Sequence, residues 1–285
     1  MLADRRVDGR APGMIAIVGG GRMGRGLARA LAAAGERVEL ASGRGPGAGE
    51  AADMAAGAAT VILAVPDDAI ETVARGLAEQ GAVTPGQVVL HLSGLHDHHA
   101  LQPLAPSGAA LGSFHPLQTI ADPETAATRW RGAYASIEGA PRAVAEAERL
   151  ARLLGLTPIP LPPGSKPRYH AGGVIASNYL VVLAALAARV AEGAGIDPAL
   201  AARIYLPMMR GALENLERLP AAEALTGPVR RGDVATVTRH LSALPAAERE
   251  TYAILGLEAV GVAEAAGLPA DRAAALRDVL RAART

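Results

Sequence analysis

Over residues 14–161 the chain alternates short apolar runs, each stopped by glycine, proline or a polar turn, with longer amphipathic stretches. Runs of that length and continuity read as parallel strands buried on both faces, and the stretches as the helices that cover them. The pattern predicts strands at 14–19, 37–42, 60–65, 88–92, 110–114, 134–137 and 157–161, and helices at 23–34, 67–80 and 140–154. The second of these helices opens on Asp67 and Asp68, which suit the positive end of a helix. Alternation of this kind predicts an α/β fold built on a parallel sheet with helices on both faces.

The pattern changes at Pro160-Leu-Pro-Pro-Gly-Ser-Lys-Pro167, a stiff linker. Beyond it only helical periodicity is present, at 169–193, 198–219, 233–243, 246–266 and 270–283. Two domains are therefore expected, a Rossmann-type domain over 1–163 and an all-α domain over 164–285. Bulk composition narrows the partners. Lys plus Arg and Asp plus Glu are equal at 28 each, with a pI near 7.1, which argues against nucleic-acid binding. Without cysteine there is neither a disulfide framework nor thiolate chemistry. Residues 1–13 are polar and lack the apolar core of a signal peptide. The stretch 174–190 approaches membrane-spanning length, but its alanines, Asn178 and Arg189 suit a packed helix better. A cytoplasmic protein without a membrane partner is expected. With one Phe and one Trp, its core must be made mostly of Ala, Leu and Val.

The segment Gly19-Gly20-Gly21-Arg22-Met23-Gly24 gives the first helix its meaning. A G-x-G-x-x-G pattern alone is weak, but here it directly joins an apolar strand to an amphipathic helix. Gly19 permits the tight turn, Gly21 lets a pyrophosphate approach the backbone, and Gly24 lets helix and strand pack closely. The helix N-terminus, at Arg22 and Met23, offers free N–H groups to phosphate. An NAD site would place an acid after the second strand; Glu39 comes too early, and Ser42 and Arg44 stand there instead. A hydroxyl and a guanidinium suit a 2′-phosphate, and Arg22 adds a second positive charge, so NADP is expected over NAD. Val65-Pro66 and Ser93-Gly94 end the third and fourth strands, on the edge where the nicotinamide half of such a ligand lies.

Candidate chemistry clusters at three further places. His115, in Ser113-Phe-His-Pro, follows the fifth strand on the ligand edge. His170, Val174, Ser177 and Asn178 share one face of the long helix after the linker, and Lys166 precedes it. Lys166 or His170 could protonate a new alkoxide, and Asn178 could hold a substrate carbonyl. Between two later helices, Thr226 and Arg231 could take a substrate carboxylate, with Asp233 as the following N-cap. His91, His96, His98 and His99 do not converge as metal ligands and read as loop histidines, so no metal site is expected.

Taken along the chain, Val18 to Gly24, Leu63 to Asp67, Leu92-Ser93-Gly94, Phe114 to Gln118, Lys166 to Asn178 and Leu225 to Leu241 resemble a family that pairs a Rossmann-like domain with an all-helical domain of originally unassigned function. More broadly the chain resembles the 6-phosphogluconate dehydrogenase-like superfamily, with its pyrroline-5-carboxylate reductases and ketopantoate reductases. The resemblance implies an NADPH-dependent reductase of a small keto or imino acid, 2-ketopantoate among them, and a homodimer formed through the helical domain. It leaves open a non-catalytic NADP-binding regulatory dimer and a deazaflavin-dependent NADP oxidoreductase. One departure stands out. The β-hydroxyacid and ketopantoate enzymes carry a Lys four residues before an Asn in their first long helix. Here Val174 holds that position relative to Asn178, so that lysine's role does not pass to this chain by motif.

Overall fold

The computed structural model describes residues 13–42 and 47–284. Arg44 lies outside them. The first unit is built on seven strands: β1 (Ile15–Val18), β2 (Val38–Ala41), β3 (Thr60–Leu63), β4 (Val88–His91), β5 (Ala110–Leu117), β6 (Tyr134–Gly139) and β7 (Thr157–Pro160). They lie in the order β2-β1-β3-β4-β5-β6-β7. The helices are α1 (Arg22–Ala33), α2 (Gly47–Ala56), α3 (Ile70–Glu79), the short α4 (Ala126–Arg129) and α5 (Pro141–Leu153).

Period-two alternation sorts each central strand between two cores. Ile15 and Ile17 of β1 face α1 and α5, sharing a cluster with Leu27, Leu31, Ala147 and Leu150. Ala16 and Val18 face the other way, toward Ala55 of α2 and Ala74 and Leu77 of α3. The single Phe, Phe114, and the single Trp, Trp130, are both wholly buried in the first cluster.

Four expectations are corrected. The sheet is not parallel throughout, because β5 and β6 pair antiparallel. Between them stand only a 3-10 turn at Pro123–Thr125 and the four-residue α4, too little helix for a parallel crossover. The helix expected at 67–80 begins as a 3-10 turn, Asp67–Ala69, before α3. A second helix, α2, and a 3-10 segment at His98–Ser107 also occupy stretches expected to be loop. Strand β5 runs past its expected end. Its neighbour β4 stops opposite Ser113, so from Phe114 to Leu117 it pairs only with β6. Pro116 thus sits on a local edge, where its missing N–H costs no ladder bond.

The linker ends earlier than the sequence implies. α6 spans Lys166–Gly193 and starts at Lys166, not Tyr169. The chain divides into compact units at Ser177/Asn178, later than the linker at 163/164. The first turns of α6 are held by the sheet unit through bonds from Lys166 to Ser93 and Ser113 and from Tyr169 to His115.

The second unit contains the remainder of α6 with α7 (Pro198–Ile204), α8 (Leu206–Arg218), α9 (Ala221–Ala224), α10 (Gly227–Arg230), α11 (Val234–Ala243), α12 (Ala246–Ala265) and α13 (Ala270–Ala282). The single helix expected at 198–219 is broken at Tyr205, because Pro207 in the first turn of α8 cannot continue the preceding helix. The expected N-cap holds: the Asp233 carboxylate accepts from Thr236 N–H at 3.0 Å.

Candidate active site

The glycine loop has the geometry its spacing implies. Gly19 has φ +129°, and a Cβ there would lie 2.3 Å from the Ala64 carbonyl oxygen. A Cβ on Gly24 would lie 1.9 Å from the Gly19 carbonyl oxygen. These two glycines are required by packing. Gly21 differs, since a Cβ there would meet nothing within 4 Å. Gly21 is the N-cap of α1 and supplies no side-chain cap. The first helical bond runs from Arg25 N–H to the Gly21 carbonyl, so the amides of Arg22, Met23 and Gly24 have no helical acceptor. Open space in front of uncapped amides is what a pyrophosphate requires.

At the end of β2, Glu39 faces Arg37 at 3.3 Å and lies two residues inside the strand end. Ser42, directly after β2, is exposed, as is Arg22. The residues present therefore fit a nicotinamide dinucleotide at this crevice. Val65 and Pro66 follow β3 at the same edge, half-buried and exposed respectively.

The loop after β4 is rigidly tied. His91 is wholly buried, not a loop histidine as expected, because it closes the apolar strand β4. Its Nδ1 accepts from Ser93 N–H at 3.1 Å, and its Nε2 lies 2.9 Å from the Asp97 carbonyl. An acceptor at Nδ1 and a carbonyl at Nε2 fix the neutral Nε2–H tautomer. Burial, and secondly the nearby Lys166, lower its pKa to about 3. Ser93 Oγ accepts from the amides of Leu95 and His96, both at 3.0 Å. His96 and His99 are exposed, and His98 donates its N–H to Glu138 at 2.8 Å.

Lys166 closes the knot from α6. It is 1% exposed, and its Nζ donates to the Ser93 carbonyl at 2.7 Å and to Ser113 Oγ. Burial lowers its pKa to about 8, against the opposing pull of Glu138, Asp97 and Asp67.

Beside this knot stands a cluster of rings. His115 Nδ1 lies 3.2 Å from Tyr169 Oη, and its ring meets those of Tyr169 and His170 edge-on, at centroid distances of 5.7 and 6.2 Å. Gly94 lies beneath both imidazoles: a Cβ there would fall 2.7 Å from His170 Cδ2 and 2.8 Å from His115 Nε2. Burial, then Lys166 and His170, lower the His115 pKa to about 4, so the ring is neutral at pH 7. Burial raises that of Tyr169, which keeps its proton.

Lys166, His115, His170, Ser93 and Gly94 are thus brought together, and Ser177 lies half-buried farther along the same helix face. Tyr169 was missed as a functional residue. Its signal was available, since it falls three residues after Lys166 on the face that carries His170. Asn178, Thr226 and Arg231 belong to the second unit. There Asn178 and Arg231 are exposed. Thr226, Arg230 and Arg231 line a cavity of about 590 Å³.

Residues 6–116 match the family model of a Rossmann-like domain, and residues 133–259 match DUF2520, a domain of unknown function. No curated protein matches the chain significantly. Among solved structures, TM1727 from Thermotoga maritima is 24% identical with a TM-score of 0.67, covering 88% of this chain and 98% of its own. BF3122 from Bacteroides fragilis, a candidate NADP oxidoreductase, is 21% identical with a TM-score of 0.67, covering 87% and 98%. The pyrroline carboxylate reductase of Plasmodium falciparum, solved with NADP bound, is 12% identical with a TM-score of 0.58, covering 93% and 97%. The chain belongs with the proteins that join a Rossmann-like domain to a DUF2520 domain.

Proposed function

We propose that this protein is an NADPH-dependent oxidoreductase that reduces a small keto or imino acid, with 2-ketopantoate the first substrate to try. The observation that carries this reading is the pairing of an uncapped glycine-loop helix with the His115–Tyr169–His170 cluster in one unit. When bound, NADPH supplies hydride. The chain's part is to bind, orient and protonate. The amides of Arg22 to Gly24 receive the pyrophosphate, and Ser42, Arg22 and Arg44 receive the 2′-phosphate. Val65 and Pro66 border the nicotinamide end. Neutral His115 shares one proton with the Tyr169 hydroxyl across 3.2 Å. That pair, with His170, is the proton source at the reacting oxygen or nitrogen. Ser177 supplies a polar contact to the substrate; within the second unit Asn178 offers a polar contact, and Thr226 and Arg231 offer carboxylate ligands.

A homodimer through the helical unit accompanies this reading. Tyr179, Val181 and Val182 of α6 and Met208, Leu213 and Leu216 of α8 are exposed. α6 is long and apolar enough to cross a membrane by length and composition. However, its first turn is fastened to the sheet unit through Lys166 and Tyr169, which suits a helix packed on protein. A second copy is the better cover, in a cytoplasmic protein.

The test is NADPH oxidation with the full-length protein against 2-ketopantoate, pyrroline-5-carboxylate and a 3-keto acid. Turnover of one class is expected, and Tyr169→Phe should lower kcat about 10²-fold. Tight NADPH binding without turnover of any of them contradicts the reductase reading. Arg44→Ala should weaken NADPH far more than NADH; equal losses contradict the phosphate assignment.

A further inference from the structure

We propose that Lys166 is a positioning residue and not the proton donor: its buried ammonium fastens the Ser93–Gly94 loop to β5, and so holds Gly94 beneath the His115 and His170 rings, most firmly while it carries its charge. This role rests on the reductase reading for its effect on catalysis, though the coupling it describes does not.

Geometry separates the two roles. A proton donor must reach the reacting atom. Lys166 is 1% exposed, and its two hydrogen bonds go inward, to a backbone carbonyl and a serine hydroxyl. These bonds join three segments, the β4 loop at Ser93, β5 at Ser113 and the first turn of α6, beside the His115–Tyr169 contact. The residue after Ser93 is Gly94, whose fit under the two imidazoles leaves no room for a methyl group. Two residues beyond Ser113 is His115, and His170 is one turn along α6 from Lys166. The ammonium thus stands at the root of each arm of the cluster, and a displacement near 1 Å at such a point can cost about 10²-fold in rate.

Charge gives this device a pH response. The groups facing Lys166 are Glu138 on β6, Asp97 on the β4 loop and Asp67 after β3, with His91 on β4 and His115 on β5. Both histidines are held neutral in part by this cation. Burial brings Lys166 to about 8. Loss of its proton above that pH removes the charge that strengthens the bonds to Ser93 and Ser113 and a repelling charge from His115.

The experiment is an imidazole ¹H–¹³C NMR titration of the full-length protein, with His115 assigned through His115→Asn, in wild type, Lys166→Met and Lys166→Arg. In wild type the His115 signals should shift a second time near pH 8, although the ring itself is neutral there. Lys166→Met should abolish that step and raise the His115 midpoint by about one unit. Lys166→Arg should abolish the step while keeping the midpoint low. If Lys166→Met does not fold, the arginine variant alone decides. A step near pH 8 that persists in either variant overturns the proposal. With a substrate in hand, wild-type kcat should fall above about pH 8, and Lys166→Arg should move that limb upward with KM for NADPH within about threefold. An unmoved limb also overturns it. The NMR outcome needs no substrate, so a failed substrate panel with an intact NMR response sinks the reductase reading alone.

Discussion

The two units of this chain bury their apolar residues in different ways. In the sheet unit every residue of β1, β3 and β4 is buried, and separate clusters fill the two faces. In the helical unit the buried cluster is confined to the segment from Val229 to Leu280. Between Asn178 and Leu219, the buried apolar residues among the described ones are Ala191 and Ala201. The large side chains of that stretch, Val182, Met208 and Leu216 among them, are instead exposed. A sheet covered on both faces closes its own core, whereas a helical array with bare stripes needs another surface. The first unit carries its cofactor loop and ring cluster on a self-sufficient scaffold. In the proposed homodimer a second copy completes the second.

The largest effect that bears on this contrast is on association. Val182→Glu should turn a dimer into a monomer, weakening the dimer by about 4 kcal/mol because a two-fold interface carries the change twice. Sedimentation equilibrium reads it; a wild-type monomer, or an unaffected dimer, breaks the contrast. Next come core truncations. Leu63→Ala in the sheet and Leu276→Ala in the helical core should each cost about 3 kcal/mol. Only the helical unit's unfolding midpoint should depend on protein concentration. Denaturant melts at two concentrations separate the cases, and concentration-independent melting of both contradicts the dimer.

A smaller effect follows from His91. Its folded pKa is about 3 against 6.5 unfolded, so the unfolded chain binds more protons between those values. Stability is then fully present above pH 6.5 and is lost as pH falls through that window. The loss from His91 should be about 3 kcal/mol by pH 4, and His91→Gln should remove that slope. An unchanged slope would mean the ring is not held neutral.

Much of the sheet unit was legible because strand continuity and the glycine loop are local signals. Each expected strand is present, Gly19 and Gly24 are required by packing as their spacing implies, and Gly21 faces open space. What was not legible depended on partners distant in sequence. Nothing near β6 states its direction, which is set by the missing crossover helix before it. His91 looked like one of four loop histidines, and only its pairing at the end of β4 shows it buried. Lys166 looked like a residue before a helix with its ammonium free, yet its bonds reach back to Ser93 and Ser113. Tyr169 and the break before Pro207 were readable from helical spacing and proline chemistry, and were overlooked.

The smallest stability change carries the most direct test. Gly21→Ala should leave the fold within about 1 kcal/mol, since a methyl group there meets nothing within 4 Å. That methyl would occupy the space expected for the pyrophosphate. Fluorescence titration of wild type and Gly21→Ala with NADPH and NADH decides the matter. Wild type should bind NADPH at least about tenfold tighter than NADH, and Gly21→Ala should lose both while melting as wild type does. No binding by wild type, or undiminished binding by a folded Gly21→Ala, would contradict the assignment of this loop to a dinucleotide.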